Sequence, residues 1–178
     1  MTLSDLFHAL IVLVPVGLAW RGAQLWTLMA SVAGLYLGTA ALSRLLLTLA
    51  PQLFAVGGTD PALQDSYYVA APPGTWTTAL VWGLLALATR ALAQRNALLY
   101  PRLACGLFWG LLVAQVSGWV LPRLWMAQVT SLDPETLVER FTPLNGTAMA
   151  LGIVAFVALA GLITLLAASA ISLFRTER

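Results

Sequence analysis

Residues 146–174 read GTAMALGIVAFVALAGLITLLAASAISLF and carry no charged side chain. A bilayer core takes roughly 20 apolar residues as one helix. This stretch exceeds that, which predicts a membrane span. Working outward, four more stretches have the same character: about 3–20, 24–49, 74–93 and 103–125. The sequence therefore predicts an all-α fold. It is a polytopic bundle of five transmembrane helices forming a single integral membrane domain over 1–178.

Composition agrees. The 178 residues are 60% hydrophobic and 9% charged, with a mean hydropathy of +0.87. A soluble domain carries about 25% charged residues. This chain lacks the polar shell that a soluble enzyme or a nucleic-acid binder would need. The pI near 9.1 reflects nine Arg against seven acids, with no Lys, and not a basic surface. The Lys-free, Ala- and Leu-rich makeup points to a GC-rich bacterial genome. One cysteine, Cys105, forms no intrachain disulfide.

The first stretch starts at Met1 and has Asp5 where a signal peptide would be positive. It reads as a retained span, with a kink expected at Pro15. The first connection is tight, around Arg21-Gly22. The second, about 50–73, is rich in Pro, Gly and Asp. The third is short and basic. The fourth, about 126–145, holds Asp133, Glu135, Glu139 and Arg140.

Arginine placement sets the orientation. Arg21, Arg90, Arg95, Arg102, Arg175 and Arg178 fall on one side, and Arg123 and Arg140 on the other. The arginine-rich side is expected to be cytoplasmic. That puts the N-terminus outside and the C-terminus inside. Trp20 and Trp26 flank the first inner turn, and Trp76 and Trp125 fall near outer ends, as interfacial tryptophans do.

Few residues carry chemistry. His8, in the first span, is a candidate axial ligand for a haem or chlorin, or a histidine bonded to a neighbouring helix. Arg44 is a buried-charge candidate inside the second span, costly at a bilayer centre. Pairing with Asp60 or Asp65, snorkelling and a bound anion all stay open. Cys105 reads as a small hydrophobe. Asn145-Gly146-Thr147 fits a glycosylation sequon, and at a helix start it reads as a cap. Gly34–Gly38 and Gly106–Gly110 have the spacing that lets helix backbones approach. They read as packing positions, within the chain or against a partner.

The stretch Leu63-Gln64-Asp65-Ser66-Tyr67-Tyr68-Val69-Ala70-Ala71 resembles the entry to the tenth helix of subunit I in haem–copper oxidases. That family reads Leu-His-Asp-Thr-Tyr-Tyr-Val-Val-Ala and then His-Phe-His. The start of the fifth span, Phe141-Thr142-Pro143-Leu144-Asn145, looks like the family's entry to its last helix. The resemblance implies a truncated relative, equivalent to the last five of twelve helices. Where the family has its haem-ligating His-Phe-His, this chain has Pro72-Pro73-Gly74. The copper ligands would sit on helices that are absent. The family's magnesium-site His-Asp pair becomes Gln64-Asp65. Asp65, Ser66, Tyr67 and Tyr68 would survive as a structural outer-loop motif, capping a helix entry and placing tyrosines at headgroup level.

The expected function is a non-catalytic accessory subunit of a larger bacterial respiratory or photosynthetic complex in the inner membrane. No cofactor is expected, although a lipid, quinone or pigment at a helix interface stays open. The expected partners are other membrane subunits and the lipid bilayer, and not nucleic acid. The alternatives are a haem- or chlorin-binding protein using His8 and an assembly factor for an oxidase.

Overall fold

The computed structural model describes residues 3–49, 74–126 and 134–176. Every element among them is helical: α1 (Leu3–Trp20), α2 (Leu25–Leu49), α3 (Gly74–Gln94), α4 (Pro101–Met126) and α5 (Pro134–Thr176). Three of these are long and apolar enough to cross a membrane, through Leu25–Leu42, Thr75–Gln94 and Thr142–Arg175. In α1 the shorter apolar run Ala9–Trp20 stands out. Two compact units divide the chain, residues 1–91 and 92–178.

In the first unit α1 packs along α2. Ile11 and Pro15 of α1 are fully buried, and the helix runs on through Pro15. On α2 the buried residues are Leu28, Met29, Val32 and Ala40. On α3, Thr75, Ala79, Trp82, Ala86 and Thr89 are buried. Their spacing of four and three makes one stripe along the helix, and Leu85 widens it. The Thr89 hydroxyl donates to Met29 Sδ at 3.5 Å, which ties α3 to α2.

In the second unit α4 and α5 pack antiparallel. The register follows from three contacts. Gly110 faces Ala158, Gly161 faces Leu107, and the Leu99 N–H donates to Ser169 Oγ at 3.0 Å. Each step back along α4 matches an equal step forward along α5. The buried seam is Ala104, Phe108, Leu111 and Leu112 on α4 with Ala158, Leu162, Leu165 and Ser169 on α5. Before Ala158, no described α5 residue is buried.

Outside these stripes the helices present large apolar side chains. Leu80, Leu84 and Leu87 are exposed on α3, and Met149, Phe156 and Ile163 on α5. Such continuous apolar exposure fits a lipid environment. The hydroxyls follow the same logic. Ser31, Thr39, Thr147, Thr164 and Ser172 each donate to a carbonyl of their own helix at 2.7–2.8 Å. A hydroxyl bonded back this way needs no water.

Helices α1 to α4 match the expected boundaries within about two residues. The fifth does not. The expected loop over 126–145 turns helical from Pro134, so α5 has 43 residues and passes through Pro143. Asn145-Gly146-Thr147 is therefore mid-helix and not a cap, and the Thr147 hydroxyl donates to Pro143 O. The physical cause is Asp133-Pro134-Glu135. Proline suits a first helical position, and an acid suits the first turn. At 1.5 Å per residue, α5 is about 65 Å long, roughly twice a hydrocarbon core.

Candidate functional site

The candidate positions sort by whether the chain itself uses them. Gly110 lies 4.0 Å from the Ala158 side chain, measured from where its own β-carbon would stand. This glycine serves packing inside the chain. Gly34, Gly38 and Gly106 face open space. On α2, Gly34 follows the buried Val32 by two residues, about 200° around the helix. The Gly34–Gly38 face is therefore turned away from the side that α2 buries.

Sequence reasoning missed the glycine with the closest neighbour among the described residues of the second unit. A β-carbon at Gly161 would stand 3.2 Å from the Leu107 methyls. It also missed Ser169, fully buried, whose hydroxyl donates to Leu165 O at 2.7 Å while accepting the Leu99 N–H. Size alone did not mark them, because Ala155, Ala160, Ala167, Ala168 and Ala170 are equally small in the same run.

The Leu99–Ser169 bond ends an ordered connection. The N–H of Ala97 donates to Leu92 O at 2.9 Å and that of Asn96 to Ala93 O at 3.1 Å. Asn96 has φ 50. This is a Schellman cap with asparagine in the left-handed position. Tyr100 has φ 49 just before Pro101, which opens α4. A non-glycine residue there stores about 1–3 kcal/mol. The Leu99 bond to a buried hydroxyl and the fixed proline hold it in place.

Helix α1 ends with the same cap. Ala23 N–H donates to Leu18 O at 3.0 Å and Gly22 N–H to Ala19 O at 2.9 Å, with Gly22 at φ 75. A positive φ closes this turn, and glycine adopts it without the cost that a side chain brings. The turn delivers Trp26 to the start of α2. Arg90 of α3 lays its guanidinium over that indole at 5.0 Å. The Trp26 Nε1–H donates to Gln24 Oε1 at 2.6 Å. Arg21 and Arg90 thus share one end of the first unit. In the second unit, the Leu99–Ser169 bond puts Arg102 and the last turns of α5 with Arg175 at one end.

The other candidates stand as follows. Arg44 is exposed on α2, and the acids expected to pair with it, Asp60 and Asp65, lie outside the described residues. So do Gln64, Ser66, Tyr67 and Tyr68, with the whole oxidase-like stretch. His8 lies on α1, and its side chain is outside the described part. Cys105 is half-buried on α4. Among the described residues no three of His, Cys, Asp and Glu come together as a metal-holding group.

Comparison with known proteins adds no relative: no family model, no curated protein and no solved structure matches the chain.

Proposed function

We propose that this chain is a non-catalytic accessory subunit, spanning a bacterial inner membrane five times and packing against a larger respiratory or photosynthetic complex. The observation that carries this reading is the Gly34–Gly38 face. It has close-approach spacing on a membrane-length helix, and nothing among the described residues of its unit stands over it. Lipid gives no hydrophobic reward for covering such a face. Close van der Waals packing against another helix supplies the drive instead.

Orientation belongs to the same proposal. Each unit collects arginines at one end, Arg21 with Arg90 and Arg102 with Arg175. The short basic connection 95–100 joins those ends along the chain. Placing them in the cytoplasm follows the positive-inside rule and leaves the N-terminus outside. Kinship with the last five helices of haem–copper oxidase subunit I rests on residues 63–71 and 141–145 and is part of the proposal.

Purification from its own membranes in mild detergent tests the reading. The expected result is a fixed set of other membrane chains at constant ratio. A chain that always runs alone contradicts it. A chain that leaves the mature complex is an assembly factor instead.

A further inference from the structure

The arginine end of the first unit gathers exposed hydrogen-bond donors. Arg90 uses the face of its guanidinium on Trp26. Stacking leaves the in-plane N–H edges available, and these fork onto oxyanions. Gln24 uses its Oε1 to accept from Trp26, which leaves its amide N–H groups as donors beside that ring. Arg21, Gln24 and Arg90 are all exposed.

Within residues 1–91 the sequence places its carboxylates away from this end. None occurs between residues 6 and 59 or between 66 and 132. Asp5 precedes Arg21 by sixteen residues of the chain, about 24 Å along a helix. Asp60 and Asp65 belong to the connection that joins the other ends of α2 and α3. Two guanidiniums and an amide therefore share one end, with an indole holding one guanidinium in place, and no acid of either helix beside them.

We infer that this end of the first unit binds a phosphate group, held by Arg21 and by the in-plane edge of the Trp26-stacked Arg90, with Gln24 beside them. The inference rests on the membrane reading above, because that reading puts this end at headgroup level. Lipid headgroups and free phosphate offer the same oxyanion chemistry. Phosphatidylcholine carries the same phosphodiester, but its quaternary ammonium neutralises the headgroup, so two guanidiniums favour the net anionic phosphatidylglycerol.

The full chain is placed in vesicles of equal phosphatidylglycerol and phosphatidylcholine, washed with alkaline carbonate, extracted in mild detergent, and analysed for retained lipid. The expected result is retention of phosphatidylglycerol over phosphatidylcholine. That preference should fall about fivefold for each of Arg21→Gln and Arg90→Gln, the worth of one arginine near an anionic surface. Arg90→Lys, which keeps the charge, should restore part of it. A parallel titration of the detergent-solubilised chain with inorganic phosphate separates the sources. Preference kept against excess phosphate assigns the site to a headgroup, and preference lost together with direct phosphate binding assigns it to the free anion. Equal retention of both lipids without phosphate binding would overturn the inference alone. So would a preference that both glutamine variants leave unchanged. Release of the wild-type chain by carbonate would overturn the membrane reading and this inference with it.

Discussion

Helix α2 and the α4–α5 seam both place glycine on apolar helices and use it differently. In the seam, Gly161 and Gly110 let Leu107 and Ala158 come close, and the buried stripe closes around them. On α2, Gly34 and Gly38 lie on the face away from Val32 and Met29, with no described residue against them. The difference teaches that glycine spacing marks where a backbone can be approached and does not say by what. The neighbouring residues decide. The seam glycines sit among buried Ala, Leu and Ser at repeating intervals, while Gly34 and Gly38 sit with exposed Leu37 and Leu45.

Filling the seam should have the largest effect. Gly161→Leu drives a side chain into the Leu107 methyls. Overpacking of that kind costs about 1–3 kcal/mol, read as a lower thermal midpoint of the detergent-solubilised chain. An unchanged midpoint would mean that the seam is looser than 3.2 Å implies.

Next comes the polar latch. Ser169→Ala leaves the Leu99 N–H without its acceptor. Interhelical hydrogen bonds inside membranes average about 0.6 kcal/mol and reach about 1.7. The loss should appear as faster hydrogen exchange at Leu99 and its neighbours, and Ser169→Thr should recover part of the protection.

Thr89→Val tests the corresponding contact in the first unit. Its acceptor is a thioether sulfur at 3.5 Å, a weak partner. The shape is nearly kept, so the change should stay below about 0.5 kcal/mol. A larger loss would make this contact, and not apolar packing, the tie between α2 and α3.

The smallest effect on the isolated chain is expected from Gly34→Leu with Gly38→Leu. No atom of another described element stands within 4 Å of either added β-carbon. Leucine is also a better helix former than glycine by several tenths of a kcal/mol. The midpoint should hold or rise slightly, whereas a fall would show that the α2 face is already occupied within the chain.

Much of the helical layout was legible because apolar length alone specifies it. Runs such as 25–49 and 146–174 have no other way to satisfy their backbones in lipid. The start of α5 was misread because charge was taken to mean loop. Pro134-Glu135 opens the helix, and Glu139 and Arg140 continue it. The Gly34–Gly38 positions were legible as a pair, but their orientation was not, since spacing carries no information about which neighbour lies opposite. The Arg90–Trp26 stack was illegible for a different reason. It joins residues far apart in sequence, and each alone reads as an ordinary interfacial residue.

The central claim is that the Gly34–Gly38 face is covered by another membrane chain. The most direct test compares wild type with the Gly34→Leu, Gly38→Leu variant, both extracted in mild detergent, by the ratio of co-purifying membrane chains to this one. The account predicts a fixed ratio for the wild type, lost in the variant while its thermal midpoint holds. An identical set of partners on both, or no partner on the wild type, would contradict it.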